Sequence, residues 1–181
     1  MRNKLPRPAV LAAVTVSLFA LTAGLGGSAY AGATPDKKLA GSNSCVVWKD
    51  LPEFVTSMDY HDPAPAGASV GDFGFYTDEV KDAAGNKVAD VKGTGRILYQ
   101  RESDGHLIIH YDDVVTFANG SKVSAIGTAD VNALIGGAGV SQALIGTKGK
   151  YKGWFGTREW TRVSQKEAVV TMTLCKDPAK A

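Results

Sequence analysis

The sequence has few of the residues that enzymes commonly use for covalent or metal chemistry. Its 181 residues include only two cysteines and three histidines, and no histidine lies near either cysteine at zinc-ligand spacing. It contains no HExxH, CxxC, G-x-S-x-G or Walker A sequence. These absences argue against a zinc hydrolase, a dithiol oxidoreductase, a serine esterase and a P-loop nucleotide hydrolase.

Long apolar runs are also lacking, except near the N-terminus, where the chain has the pattern of an export signal. Three basic residues within the first seven positions precede the uncharged stretch 9–25. Small residues follow and end in Ala29-Tyr30-Ala31, the A-x-A form of a signal-peptidase site. The stretch is shorter than the roughly 20 apolar residues that span a bilayer. We predict a signal peptide over 1–31 and a secreted protein, with an uncleaved N-terminal anchor as the alternative.

An excess of charge of one sign is the third absence. Beyond the predicted signal, 150 residues remain, with 17 basic and 18 acidic side chains and a formal net charge of −1. No basic patch suggests a nucleic acid, and no polybasic arm suggests an anionic membrane. We expect a flexible leader over 32–43 and one domain over 44–177. We expect no nucleic-acid partner and no stable membrane insertion after cleavage.

The two cysteines, Cys45 and Cys175, lie near the two ends of this predicted domain. An even pair in an exported chain favours a disulfide. A bond closing a loop of about 130 residues would stabilise the fold by on the order of 4–5 kcal/mol in the chain-entropy treatment. We predict this disulfide, and two unpaired buried thiols are the alternative.

The rest of the chain alternates short apolar segments with turn residues, which predicts about eight strands and no helix. Ser103-Asp104-Gly105 and Asn119-Gly120 carry the residues that hairpin turns favour. Gly93 and Gly95 predict a bend or bulge within a long strand. The predicted strands are Cys45–Leu51, Gly74–Val80, Lys87–Gln100, His106–Phe117, Lys122–Thr128, Ser141–Ile145, Phe155–Val163 and Ala168–Cys175.

Antiparallel hairpins at this spacing are typical of a sandwich or a closed barrel. Closure would remove the sheet edges and bring the first strand beside the last. The two cysteines would then be neighbours, within the separation that a disulfide tolerates. The position of the cysteines and the strand pattern therefore agree with a barrel.

The densest polar cluster lies on the predicted strand His106–Phe117. Alternation places His110 and Asp112 on one face and Tyr111 and Asp113 on the other. The second face is apolar at one end and polar at the other, as in a strand that runs from a packed core into a pocket. The alternative is that the two aspartates leave the sheet at its end and that His110 lies at the surface, since acids and histidines are usually exposed.

The segment 154–160, Trp-Phe-Gly-Thr-Arg-Glu-Trp, offers another candidate acid. Alternation places Arg158 and Trp160 on one face, and Phe155 and Glu159 on the other. If the second face points inward, Glu159 lies among apolar groups and is a candidate acid or base. If it points outward, Glu159 is solvated, and alternation does not decide between the two. Three further candidates near strand ends or centres are Asp72, Tyr76 and Tyr99.

Two parts of the sequence resemble a known family. Residues 70–75, Val-Gly-Asp-Phe-Gly-Phe, followed by 82–88 and Gly93-Thr94-Gly95, look like the start of the allene oxide cyclase-like barrel family, which includes plant dirigent proteins and bacterial relatives. Residues 143–157 are similar to the family's I-T-G-G-T-G-x-Y-x-G-A-x-G segment, with Lys148 at a position where glycine or threonine is usual. Together these parts span about residues 68–163.

The resemblance implies an eight-stranded antiparallel β-barrel with an apolar cavity. Family members cyclise or isomerise hydrophobic small molecules, or steer the coupling of reactive intermediates, without a metal or organic cofactor, and many are oligomers. We therefore expect a hydrophobic small-molecule partner, no cofactor and a homo-oligomer. From position and chemistry rather than from a motif, we predict as catalytic candidates Asp113, Tyr111, Glu159 and Tyr76, and as ligand-binding candidates Tyr99, Asp72 and His110.

Three functions agree with this sequence, because a fold does not fix a function. The first is a secreted cyclase or isomerase of a hydrophobic metabolite, in which tyrosine and carboxylate groups orient the substrate. The second is a barrel that binds or guides an apolar ligand without catalysis. The third is an extracellular interaction protein with a filled barrel. A cavity with bulky apolar walls and a buried acid or tyrosine would favour the first, and a solid interior would favour the third.

Overall fold

The computed structural model describes residues 44–63 and 65–176, which form a barrel of eight antiparallel strands. The strands are β1 (Cys45–His61), β2 (Phe73–Lys81), β3 (Lys87–Gln100), β4 (Leu107–Phe117), β5 (Lys122–Asp130), β6 (Val140–Lys148), β7 (Phe155–Arg162) and β8 (Glu167–Cys175). Each strand pairs with the next, and β8 pairs with β1, so the sheet closes. The predicted fold class is confirmed. The predicted signal peptide 1–31 and leader 32–43 lie outside the described residues, as does residue 177.

Strand β1 is much longer than the sequence predicts. Its predicted end was Leu51, but it continues to His61, pairing with β8 in its first half and β2 in its second. The second half places Glu53 inside the barrel and a run of polar residues outside. An inward acid interrupts the apolar alternation on which the prediction depends.

Among the described residues, a one-turn α-helix and a 3-10 turn (Gly149–Tyr151) are present where no helix was predicted. The five-residue helix α1 (Val131–Ile135) joins β5 to β6, and Asp130 caps it by accepting hydrogen bonds from the backbone N–H groups of Asn132 and Ala133, at 2.9 and 3.1 Å. A single helical turn is too short to show a helical period in the sequence. Within residues 44–63 and 65–176, none of the helical segments has the length and apolar character of a membrane span.

The pairing shows no bulge at Gly93 or Gly95. Pairing of β3 with both of its neighbours is regular through both glycines, and its register shifts lie elsewhere, between Lys87 and Ala89 on the β2 side and between Ile97 and Tyr99 on the β4 side. Both glycines point into the barrel, on the same face as Val91. The glycines therefore provide space in the interior.

One end of the barrel, which we call the closed end, is a solid apolar core. Trp48 stacks on Phe117 with ring centroids 4.6 Å apart, and Tyr151 packs edge-on against both rings. The disulfide between Cys45 and Cys175 joins β1 to β8 at this end, as predicted. The aliphatic residues buried there include Leu51, Val80, Val91, Val115, Val123, Leu144, Val170, Met172 and Leu174. The closed end is thus filled.

Candidate active site

A layer of polar side chains lies inside the barrel above this core. It is built from five strands, because each strand continues its inward alternation from apolar to polar residues. All members are at most 7% exposed, which is unusual for polar and charged side chains and is costly unless they are paired. The layer consists of Glu53, Asp78, Asp113, Gln142 and Arg158.

Arg158 is the centre of this layer. Its Nη2 donates to both carboxylate oxygens of Glu53, and its Nη1 donates to Oε1 of Gln142. Its Nη1 also lies 3.6 Å from Oδ2 of Asp113. Desolvation opposes the charge of the guanidinium, but the carboxylates of Glu53 and Asp113 outweigh it and raise the pKa of Arg158. The layer is therefore organised around a permanent buried cation.

Asp113 is held by two donors. The Tyr76 hydroxyl donates to its Oδ1, and Nε2 of Gln142 donates to its Oδ2 at 2.7 Å. Burial raises the pKa of Asp113, although the charge of Arg158 opposes the shift. Burial also raises the pKa of Tyr76. The negative charge of the Asp113 carboxylate beside it raises this pKa further. The expectation that this aspartate leaves the sheet is wrong, since Asp113 lies in the middle of β4 and is fully buried.

The inward glycines make room for these contacts. A Cβ at position 93 would lie 2.0 Å from Oδ1 of Asp113 and 2.5 Å from the Tyr76 ring. A Cβ at position 95 would lie 3.2 Å from the Tyr111 ring, and one at 127 would lie 2.9 Å from Cγ of Gln142. Of these three positions, Gly93 leaves the least space for a Cβ, and the atoms that such a Cβ would meet belong to Tyr76 and Asp113.

Asp78 differs from the other members of the layer. Burial, the nearby negative charge of Glu53 and a side-chain hydrogen bond with Glu53 raise its pKa to about 8. Its Oδ1 is buried and has no hydrogen-bond partner. This side chain therefore keeps its proton to a higher pH than an ordinary aspartate, and in its protonated form it can donate a hydrogen bond as well as accept one.

Beyond the polar layer, at what we call the open end, the barrel contains a cavity of about 270 Å³. Its floor includes Asp78 and Arg158, and the hairpin between β7 and β8 contributes to its rim. Tyr111 packs edge-on against Trp160 with centroids 5.5 Å apart. Burial raises the pKa of Tyr111 to about 12, with a further contribution from Asp113. The apolar and aromatic walls are Val55, Met58, Tyr76, Tyr111, Trp160 and Ala168.

Three predicted site residues are brought together here. Tyr76 and Tyr111 line the cavity, with their rings 6.5 Å apart, and Asp113 lies below them, bonded to Tyr76. Glu159 is placed elsewhere. It is exposed on the outer wall, because the face of β7 that points inward is the one with Arg158 and Trp160. Of the two orientations left open by the sequence, the solvated one is found.

The three predicted ligand-binding residues also lie outside the cavity lining. His110 is on the outer face of β4, and Tyr99 is exposed at the end of β3. Asp72 is buried in the turn before β2, where it accepts from the Tyr60 hydroxyl at 2.7 Å and from Ser69. The bond from Tyr60 lowers the pKa of Asp72, so this carboxylate serves to hold the turn.

Several residues of the site were not singled out from the sequence. Glu53 lies beyond the end of the first predicted strand, and Gln142 lies within a short one. Both are polar, so apolar alternation does not indicate that they point inward. Asp78 follows Tyr76 by two positions on β2, so alternation within this strand places the two side chains on one face. Arg158 shares a face of β7 with the aromatic Trp160, and this neighbour was the sequence signal that the face points inward.

A second cluster of charged residues lies at the β3–β4 turn. Asp104, His106 and Asp130 are close enough to hold a metal ion. However, Arg101 occupies their centre, with Nη2 2.6 Å from Oδ2 of Asp130 and bonds to Asp104. His106 Nδ1 lies 2.8 Å from the same Asp130 oxygen. The arginine already neutralises these carboxylates, so the cluster is an ion-pair network that holds the turn.

Comparison with known proteins connects this site to a family. The family model described as the allene oxide cyclase barrel like domain matches residues 53–174. The crystal structure of the Diels Alderase AbmU from Streptomyces koyangensis is similar, with 31% identity and a TM-score of 0.70 over 75% of this chain and 65% of that one. A heme-binding cyclase that catalyses [4 + 2] cycloaddition during neoabyssomicin biosynthesis has 31% identity and a TM-score of 0.69, over 74% and 66%.

A third similar structure is AbnU, described as an exo-specific intermolecular Diels-Alderase, with 25% identity and a TM-score of 0.67 over 75% of this chain and 99% of that one. This chain spans slightly less than two thirds of the length of the first two proteins. No curated protein matches the sequence. The family match covers most of the barrel, from the first polar-layer residue, Glu53, to Leu174 in the closed-end core. The chain belongs to the allene oxide cyclase barrel-like family.

Proposed function

We propose that this protein is a secreted cyclase that holds a hydrophobic small molecule in the open-end cavity and promotes its ring closure. The observation that carries the proposal is the cavity itself. It has aromatic and aliphatic walls and a floor of buried acid and guanidinium groups, in a barrel whose other end is solid. The similar structures that act as Diels-Alderases support this type of reaction.

Ring closure by cycloaddition needs shape more than a nucleophile. New carbon–carbon bonds form from π electrons within the substrate, and no atom is lost, so no covalent enzyme intermediate is needed. A rigid apolar cavity lowers the entropic cost by holding the reacting carbons near one another. The Tyr111–Trp160 pair and the wall residue Met58 supply such surfaces. This chemistry agrees with the lack of a nucleophile motif in the sequence.

The polar floor would orient the substrate rather than transfer a proton. The hydroxyl of Tyr76 is already bonded to Asp113, which fixes its ring as part of the wall. The indole Nε1 of Trp160 donates to Gln142 Oε1 at 3.2 Å, which fixes a second wall. Groups held in this way are preorganised, and their orientation costs nothing further when a substrate binds. The prediction that no cofactor is needed remains a prediction.

A second candidate is a barrel that binds an apolar ligand without catalysis. The observation that favours it is the extensive internal pairing of Arg158, Glu53 and Asp113, which makes the floor a structural unit. A filled interaction barrel is less consistent with the structure, because the open end contains a cavity. Secretion and homo-oligomer formation are part of the proposal, and both rest on the sequence and its resemblance.

The test is native mass spectrometry of the protein purified from the culture medium of its host, before and after gentle organic extraction. We expect a copurifying apolar molecule whose removal lowers the mass. If its open-chain precursor closes faster with the protein than without it, the cyclase proposal holds. Binding without acceleration would leave the second candidate, and a ligand-free mass with no binding from a host extract would contradict both. The mature N-terminus in the same spectrum is expected to be Gly32.

A further inference from the structure

The closed end of the barrel carries a group of lysines on its outer surface. One begins β5, one ends β6, two lie in the loop between β6 and β7, and one follows β8. All are exposed, and none forms a salt bridge with a carboxylate of residues 44–63 and 65–176. We call this group the lysine face, and its members are Lys122, Lys148, Lys150, Lys152 and Lys176.

The fold, rather than the local sequence, brings these charges together. Their positions extend from 122 to 176, so the chain contains no continuous basic segment. Lys122 and Lys148 are direct partners on neighbouring strands, and the backbone N–H of Lys150 donates to Oγ of Ser121 at 3.0 Å, which holds one loop against the next. Like charges directly opposite each other destabilise a sheet. A facing pair of lysines without acidic neighbours therefore favours the binding of an anion.

The acidic residues of the chain do not offset this charge. Among positions 114–157 the only acid is Asp130, which caps α1 at the open end. On the neighbouring β2–β3 hairpin, by contrast, Lys87 is paired with both Glu79 and Asp90. The lysine face is therefore a one-sided positive surface on a mature chain whose predicted net charge is close to zero.

Apolar side chains border the lysine face. Phe155 begins β7 and is 47% exposed, and its partner on β6, Ile145, is 54% exposed. Phe155 also pairs with Cys175, the residue before Lys176. Exposed aromatic and aliphatic groups beside lysines are typical of surfaces that contact the interface of a bilayer. A soluble polyanion would use the charges but not these apolar groups.

The path of the chain gives the same orientation. The segment that precedes β1 joins the barrel at Ser44, whose carbonyl oxygen accepts from the backbone N–H of Lys176 at 3.0 Å. The predicted export signal is therefore attached to the closed end. In the precursor, this is the end that is tethered to the membrane during export.

We propose that the lysine face docks the protein reversibly on a bilayer that contains anionic phospholipid, with Phe155 and Ile145 at the lipid interface. The open-end cavity then points away from the bilayer and stays accessible to its ligand. The docking is independent of the proposed cyclase function. A second copy of this chain fits the same face poorly, because two lysine faces would repel each other.

The experiment is flotation of the mature protein with vesicles of phosphatidylcholine, with and without phosphatidylglycerol. We expect binding only to the anionic vesicles, and its loss as NaCl rises from about 50 to about 500 mM, because salt screens exposed charges. Lys122→Gln/Lys148→Gln should weaken binding by roughly ten- to thirtyfold, since each lysine contributes several-fold at an anionic surface. Lys92→Gln/Lys166→Gln removes the same charge from exposed positions outside the lysine face and is the matched control.

Equal binding by the two double variants would overturn the inference, as would binding that does not depend on phosphatidylglycerol. Phe155→Ser should weaken vesicle binding and leave binding of soluble poly(glycerol phosphate) unchanged. If wild type binds this polymer as tightly as the vesicles and Phe155→Ser alters neither, the partner is a soluble polyanion and the bilayer proposal fails. A dimer in the absence of vesicles that Phe155→Ser dissociates would assign the face to a second copy instead. None of these results involves the cavity, so failure of docking leaves the proposed function standing.

Discussion

The two ends of this barrel are built by the same strands but are stabilised in different ways. On β4, Val115 and Phe117 pack into the apolar core of the closed end, whereas Tyr111 and Asp113 belong to the open end. The closed end gains its stability from buried apolar area and a disulfide. The open end contains a buried cation with its partners and a cavity. One end therefore maintains the fold, and the proposed function rests on the other.

The largest effect expected at the open end comes from removal of its buried cation. Arg158→Leu leaves the buried Glu53 without its partner and should lower the free energy of unfolding by about 3–5 kcal/mol. The double variant Glu53→Leu/Arg158→Leu removes both charges and should recover most of this loss. Urea denaturation measures both. Equal destabilisation of the single and double variants would contradict an ion-pair origin.

At the closed end, loss of apolar volume should affect stability alone. Leu174→Ala removes a fully buried side chain of the core and should cost about 2–5 kcal/mol. The affinity of the folded protein for an apolar fluorescent dye, N-phenyl-1-naphthylamine, should remain at the wild-type value, because the cavity lies beyond the polar layer. Urea denaturation combined with dye titration checks both halves. A dye affinity that falls several-fold would show that the two ends are coupled.

Gly93 tests the link between a strand residue and the polar layer. Gly93→Ala places a methyl group against Asp113 and the Tyr76 ring and should cost about 1–3 kcal/mol. The double variant Gly93→Ala/Asp113→Ala removes the closest atom. If steric overlap is the cause, the two changes will be non-additive, with the double variant more stable than the sum predicts. Strict additivity in thermal unfolding would reject this explanation.

Stability should also depend on pH, through Asp78 of the polar layer. Its pKa is raised from 3.8 to about 8 in the fold, so the folded state retains a proton that the unfolded chain loses. Stability from this group should therefore fall as pH rises from about 4 to about 8. Asp78→Asn should be more stable than wild type, and more so at pH 9 than at pH 5. A stability difference that is constant with pH would contradict the raised pKa.

Most of the fold could be predicted from the sequence, because turn residues and apolar alternation are local signals. They located the eight strands, and the cysteines and the family resemblance favoured closure. The prediction failed where one turn of helix follows Asp130 and where Glu53 interrupts the apolar pattern of β1. The helix is too short to show a helical period, and the inward direction of Glu53 depends on Arg158, which is distant in the sequence.

Less of the candidate site could be predicted. Tyr76, Tyr111 and Asp113 were selected and are found together. Alternation places Tyr111 and Asp113 on one face of β4, whereas the contact with Tyr76 comes from β2 and is apparent only in the fold. The face of β7 that points inward depends on its pairing with β6 and β8, so Glu159 was proposed where Arg158 is found. The role of Gly93 could not be predicted for the same reason, since the side chains that need its space come from the neighbouring strands β2 and β4.

The most direct test of a ligand site at the open end is to place the same large side chain at two positions, one in the cavity and one on the outer wall of the barrel. Ala168→Phe adds a ring to the cavity wall, and Ala143→Phe adds it to the exposed face of β6. Dye affinity and retention of the copurifying molecule are measured for both variants after circular dichroism has shown that they fold. We predict that Ala168→Phe loses both by at least tenfold and that Ala143→Phe keeps them. Equal binding by the two variants would contradict the assignment of function to the open end.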